Sequence, residues 1–302
     1  MPAGLLGIEG LERSEIEAIL ARAKDFQPVQ TQSLKKLDTL RGKMIVNLFF
    51  EASTRTRTSF EIAAKRLGAD AVSITAQGSS VSKGESLVDT LNTLAAMRPN
   101  AIVMRHAASG APHFLASHLT MPIINAGDGT HEHPTQALLD ARTILDHRPS
   151  LEGLRVAIIG DIAHSRVARS NIYLLSKFGV DIVLCGPASL VPQELSHIAP
   201  GVTITNDICA AIKDADVIMM LRVQLERQHE TSFPAAEYFQ FYGLRLEHMN
   251  LAKPDAMVMH PGPINRGREL SSEVADSQRS VILNQVENGI AVRMAVLERV
   301  IG

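Results

Sequence analysis

The chain has 302 residues, 45% of them hydrophobic, and a formal net charge of −2, so it can bury a large core and lacks the basic excess of a general nucleic-acid or membrane-surface binder. Its two cysteines, Cys185 and Cys209, stand far apart and suit a reducing compartment, both as buried packing residues. No basic start with an apolar run opens the sequence and no stretch nears the roughly 20 apolar residues of a membrane span, so a cytoplasmic protein without secretory signal is expected.

In chain order, apolar spacing predicts a helix over 11–25, from Leu11, Ile16, Ile19 and Leu20. The run Met44 to Phe50 reads as a buried strand. Ser53 to Leu67 is helical and stops at Gly68, a good residue to end a helix. A strand over 71–76, a helix over 85–97 stopped by Pro99, a strand over 101–105 and a helix over 111–119 follow. A strand over 122–126 and a helix over 133–147 complete the first half. The pattern then restarts with a strand over 154–159, a helix over 166–178 and strands over 181–185 and 202–205. A helix over 208–215 and a strand over 217–221 come next. Residues 223–253 read as a long loop with one helix near 233–242, before a strand over 257–260 and a closing amphipathic helix over 286–301. Such alternation predicts two doubly wound α/β domains, each a parallel sheet with helices on both faces and the active site in the cleft between them. The expected division is 1–150 and 151–285, with the helix of 286–302 packing back on the first domain. In open parallel sheets ligands bind beyond the carboxyl ends of the strands, so residues just after each strand carry the search for function.

The densest chemistry is Glu51-Ala52-Ser53-Thr54-Arg55-Thr56-Arg57-Thr58-Ser59, where a buried strand ends and a helix begins. A helix start offers free N–H groups and the positive end of the dipole, a place for an anion. Hydroxyls add donors and Arg55 adds a forked cation suited to phosphate. A plain N-cap needs one such residue, and two arginines among the hydroxyls exceed that. Arg105 ends the run Ala-Ile-Val-Met. His133 precedes Pro134 at a helix start, where imidazole tends to stay neutral, and Gln136 lies one turn on. His131-Glu132-His133 lacks the helical spacing of a metal site. Gly160-Asp161-Ile162-Ala163-His164-Ser165 follows a strand but lacks the second and third glycines of a dinucleotide fingerprint. Arg166 at the next helix start and Arg222 at a strand end, with Gln224 beyond, suit two carboxylates.

The Ser53-Thr54-Arg55-Thr56-Arg57 segment resembles the signature of the aspartate and ornithine carbamoyltransferases. The resemblance extends along nearly the whole chain through Lys83-Gly84-Glu85, Arg105, His133-Pro134-Thr135-Gln136, Gly160-Asp161 with Ser165-Arg166, Arg222-Val223-Gln224 and His260-Pro261-Gly262-Pro263. It implies that Ser53, Thr54, Arg55, Thr56, Arg105, His133, Gln136, Gly262, Pro263 and Ser79 bind carbamoyl phosphate. It also implies that Lys83, Arg166, Arg222 and Gln224 bind the acceptor amino acid, with Arg55, Thr56, Arg105 and His133 catalytic. In that family the loop holding Ser79 and Lys83 reaches the active site of the adjacent subunit, which implies a homotrimer. A higher assembly with regulatory chains or dihydroorotase is compatible with it.

Ornithine enzymes share a His-Cys-Leu-Pro segment and a Ser-Met-Gly loop, and neither is present. Cationic Lys83, Arg166 and Arg222 favour the dicarboxylate aspartate over ornithine's ammonium. The implied reaction gives N-carbamoyl-L-aspartate and phosphate, the committed step of de novo pyrimidine biosynthesis, with no metal or cofactor. The departing phosphate itself is expected to take the proton. A non-catalytic member of the fold, a transferase for another amine and a nucleotide-dependent dehydrogenase are the alternatives.

Overall fold

The computed structural model describes residues 4–75, 86–223 and 235–302. Two compact units emerge, one of Met1–Arg142 with Glu287–Gly302 and one of Thr143–Val286.

The first unit opens with α1 (Arg13–Phe26), which buries Ile16, Ile19, Leu20, Ala23 and Phe26 at helical spacing. Four parallel strands follow: β1 (Met44–Phe49), β2 (Asp70–Thr75), β3 (Ala101–His106) and β4 (Ile123–Asp128), in the order β2-β1-β3-β4. Between them run α2 (Thr54–Arg66), α3 (Leu87–Ala96) and α4 (Ala111–Ala116), and α5 (Pro134–His147) comes after β4. The inner strand β1 buries five of its six residues; of the two edge strands, β4 buries all six, with Leu5 bridged to its Ile124, whereas β2 stays largely open. Val46, Leu48, Leu91, Ile102, Met104 and Leu115 form a core against one another.

The second unit has five parallel strands: β5 (Arg155–Ile159), β6 (Asp181–Cys185), β7 (Val202–Thr205), β8 (Val217–Met220) and β9 (Met257–Met259), in the order β7-β6-β5-β8-β9. Its helices are α6 (Arg166–Ser176), α7 (Ile208–Ile212), α8 (Ala235–Tyr242) and α9 (Ser272–Ala275). Ala157, Ile159, Val183, Ile212, Ile218, Met220 and Val258 fill its core.

The last helix, α10 (Ile282–Ile301), starts four residues before the sequence predicts, and the division between units falls inside it and inside α5. Gln27 donates to Asn288 at 2.7 Å and Arg22 meets Glu298 at 2.6 Å, tying α1 to α10. Short 3-10 turns (Gln27–Gln30, Gln193–His197, Leu246–Asn250) and the one-turn α9 carry no periodicity long enough to be read from sequence. Cys185 is buried, but Cys209 is exposed, against expectation. The short α7 turns Ile208, Ala211 and Ile212 inward and leaves position 209 on its outer side. No helix among the described residues is long and apolar enough to cross a membrane.

Candidate active site

Each sheet reverses its winding once, between β1 and β3 in the first and between β5 and β8 in the second. Adjacent strands lead off in opposite directions at such a point, and their carboxyl ends leave room for a ligand. Phe49 at the end of β1 lies beside Arg105 near the end of β3, and the Phe50 N–H donates to the Arg105 carbonyl at 2.9 Å. Ser53 then stands at the N-cap position of α2 in an extended conformation, with no hydrogen bond from its side chain to the helix. The first N–H groups of α2 are thus not satisfied by the Ser53 hydroxyl. Thr56 is buried, and Arg55 and Thr54 are exposed. Arg57 lies 3.9 Å from Glu61 on the next turn.

Arg105 is held on two sides. Its Nη2 contacts Glu51 Oε1 at 2.6 Å and its Nη1 donates to the Ala126 carbonyl at 3.3 Å. An anion arriving at Arg105 therefore competes with a carboxylate of the same unit. His106, the next residue, packs edge-on to Phe50 and is held below its ordinary pKa by burial.

His133 and Gln136 are both buried at the start of α5, and Gln136 donates through Nε2 to Asp140 Oδ1 at 2.9 Å. The residues of His131-Glu132-His133 serve different partners. Glu132 accepts from the Ile8 and Glu9 N–H groups, and His131 sits 3.0 Å from Asp128. His113, Asp128 and His131 bring ligand-type atoms within 4.8 Å of one another. The Asp128 oxygens already accept from Asn125, Glu132 and Gly110 as well as facing His131, so the cluster reads as a hydrogen-bonded corner.

In the second unit, Gly160 follows β5 with φ +141°, and a Cβ there would come 2.9 Å from Leu221 Cβ. Only glycine lets the ends of β5 and β8 approach this closely. Asp161 turns back to His164 at 2.8 Å, and Ser165 caps α6 by accepting from the Ala168 N–H at 3.1 Å. Arg166, the first residue of α6, is buried. Arg222 stands two residues past β8. The segment is pinned by Glu269, a fully buried carboxylate that accepts from the Val223 N–H at 3.1 Å and from Asn265. Burial pushes the Glu269 pKa up, and these hydrogen bonds oppose the shift. Beyond β9, His260 is anchored by its N–H to Gln285 and accepts from the Gly262 N–H at 2.8 Å, which sets the Gly262-Pro263 turn.

Ser53, Thr54, Arg55, Thr56, Arg105, His133 and Gln136 thus belong to the first unit, and Arg166, Arg222, Gly262 and Pro263 to the second. Ser79, Lys83 and Gln224 lie outside the described residues. Sequence reasoning passes over Glu51, Asp140, Glu269 and Arg293. Glu51 sits inside the phosphate motif and is within reach of it. Asp140 and Arg293 are charged residues in apolar stretches, a pattern that signals burial with a partner but does not name the partner, whereas Glu269 stands among Arg266, Arg268 and Ser271, where no such signal exists.

Two parallel sheets with arginines at both reversal points frame an α/β enzyme that handles anionic substrates. The family models of the aspartate/ornithine carbamoyltransferases match the chain twice, the carbamoyl-phosphate-binding domain over residues 4–146 and the aspartate/ornithine-binding domain over 152–300. The chain belongs to this family. It is 85% identical, over the full length of both chains, to the aspartate carbamoyltransferase catalytic subunit of Solibacter usitatus. Among solved structures, it resembles aspartate transcarbamoylase of Trypanosoma cruzi in complex with carbamoyl phosphate and aspartate, with a TM-score of 0.91 and 34% identity, covering 100% of this chain and 97% of that one. It also resembles ornithine carbamoyltransferase from Pyrococcus furiosus, with a TM-score of 0.87 and 31% identity, covering 98% and 96%.

Proposed function

We propose that this chain transfers the carbamoyl group of carbamoyl phosphate to the amino group of L-aspartate, giving N-carbamoyl-L-aspartate and phosphate. The observation that carries the reading is the uncapped start of α2 beside Arg105 at the first reversal point. High identity to a catalytic subunit of this name supports aspartate as the acceptor.

In this reading the phosphate rests on the α2 N–H groups with Ser53, Thr54, Arg55, Thr56 and Arg105, and displaces Glu51 from Arg105. Thr56, Arg105 and His133 donate to the carbamoyl oxygen and stabilise the negative charge that grows there on attack. Gln136 and the turn at Gly262 and Pro263 hold the carbamoyl NH2. Arg166 and Arg222, with Gln224 and Lys83, hold the aspartate carboxylates. The neutral amine attacks the carbonyl carbon, the C–O bond to phosphate breaks, and the phosphate dianion takes the proton. Rate enhancement then comes from orientation and fixed charge, without a covalent enzyme intermediate. The product belongs to pyrimidine synthesis, and a cytoplasmic location goes with that role.

The direct test is formation of carbamoyl-aspartate, with kcat/KM compared for aspartate and ornithine. A preference for ornithine would overturn the acceptor assignment, and no transfer to either would overturn the reaction.

Ser79 and Lys83 are assigned to the site of a neighbouring chain, which requires a closed ring, here of three. Lys83→Ala and Arg105→Ala trimers, each nearly inactive, are dissociated, mixed equally and reassembled. Random assembly rebuilds about a quarter of the sites if each draws on two chains. Activity that stays at the parental level in verified mixed trimers removes the shared site.

A further inference from the structure

Gln136 and Asp140 lie one turn apart on α5 and face each other, with Gln136 Nε2 donating to Asp140 Oδ1 at 2.9 Å. Both are buried, Asp140 completely. An ionised carboxylate only accepts hydrogen bonds, so the amide beside it has one permitted sense: NH2 towards Asp140, oxygen away. A protonated or amide group at 140 could donate and would permit the reverse. The sense of Gln136 therefore depends on the charge at Asp140.

A buried cation feels the same carboxylate. Arg293 of α10 is buried, donates from Nη1 to the Gly289 carbonyl at 3.0 Å, and places its Cζ 5.1 Å from the centre of the Phe60 ring on α2. A Cβ at Gly289 would lie 2.6 Å from Arg293 Nη1 and 3.2 Å from Leu139 Cδ2, so the guanidinium passes against α10 beside α5. Burial lowers the Arg293 pKa to about 10 while the field of Asp140 opposes the shift, which leaves the side chain charged at neutral pH.

We infer that Asp140 and Arg293 are positioning residues that fix the Gln136 amide with its oxygen as the acceptor for the NH2 of carbamoyl phosphate. The inference rests on the assignment of Gln136 to that NH2. It gives the pair a role in specificity. Acetyl phosphate has the same phosphate and a similar acyl shape but a methyl in place of the NH2. A correctly turned Gln136 favours carbamoyl phosphate, because a methyl leaves the amide oxygen without a donor.

The test compares kcat/KM for carbamoyl phosphate with Ki for acetyl phosphate in wild type, Asp140→Asn, Gln136→Ala and the double variant. In Asp140→Asn the new amide, beside Arg293, turns its oxygen to the cation and its NH2 to Gln136, which reverses the Gln136 amide. Asp140→Asn should lower kcat/KM for carbamoyl phosphate about tenfold or more and leave Ki for acetyl phosphate within about twofold. In the Gln136→Ala background, Asp140→Asn should cost little more. Equal losses on both ligands, or a loss undiminished without Gln136, would overturn the inference. Gln136→Ala with native kinetics would instead sink the underlying assignment of Gln136, and the inference with it. If Asp140→Asn leaves Arg293 too poorly compensated to fold, Asp140→Leu/Arg293→Met removes both charges together. That variant should also lose preference for carbamoyl over acetyl phosphate, and a wild-type preference in it would count against the positioning role.

Discussion

The two units use the same topological device with opposite local chemistry. At the first reversal point Ser53 stands at the N-cap of α2 with no hydrogen bond from its side chain to the helix. At the second, Ser165 caps α6 through the Ala168 N–H, and the buried Arg166 side chain stands at that helix start. A helix start that leaves itself unsatisfied is suited to the multiple oxygens of phosphate. One that satisfies itself and offers a guanidinium is suited to a carboxylate, which needs a planar fork. Under the proposed function, this difference is how one fold plan, repeated in a chain, provides for two unlike anions.

The strongest way to break this comparison is Arg55→Ala. It should nearly abolish turnover at unchanged melting temperature, a loss on the order of 2–5 kcal/mol, since the side chain is exposed and supports no core. Steady-state assays within a few-fold of wild type would remove the phosphate site from α2. Arg222→Ala comes next. KM for aspartate should rise about 10- to 100-fold with KM for carbamoyl phosphate nearly constant. Parallel rises in both constants would end the division of labour between the units.

A smaller effect sharpens the comparison at the serines themselves. Ser165→Ala should cost about 1 kcal/mol of stability in urea unfolding, because a real cap is lost. Ser53→Ala should change stability by less than about 0.5 kcal/mol, yet weaken carbamoyl phosphate binding. The reverse pattern would mean that the two helix starts have exchanged roles.

The smallest expected effect concerns His248 in the second unit. Burial and the neighbouring Arg245 hold it below its ordinary pKa near 6.5, and its Nδ1 accepts from the Arg245 N–H. The unfolded imidazole takes a proton first as pH falls. Its contribution to stability is therefore intact above pH 6.5 and is lost as pH drops from there to the lower folded value. His248→Gln should flatten that part of the stability profile. An unchanged slope in the variant would show that other groups set it.

Nearly every strand was legible because inner parallel strands are continuous apolar runs, as in Ala101 to Met104 and Val156 to Ile159. The junction proposed to hold phosphate was legible as structure because it is local, a strand end joined to a helix start. Pairings over long sequence distance were not legible. Arg105 meets Glu51 across two strands, and Arg293 reaches the α5 acid from the far end of the chain. Nothing local in either segment encodes the other. Cys209 failed for a different reason: on a helix of five residues, period alone does not say which side faces in.

The division of the first unit into Met1–Arg142 and Glu287–Gly302 has a consequence for how the molecule is made. On the ribosome, residues Thr143–Val286 emerge before the segment that completes the earlier unit. At about 5–20 residues per second, these roughly 145 residues take about 7–30 s. Throughout that interval Phe60 and Asp140 await Arg293, and the nascent phosphate-binding unit carries an unfilled seam. The later-made unit, contiguous in sequence, has all its strands before the earlier one has its last helix. Synthesis order and completion order are thus inverted, and the phosphate-binding half is the one most exposed to chaperones and proteases during translation.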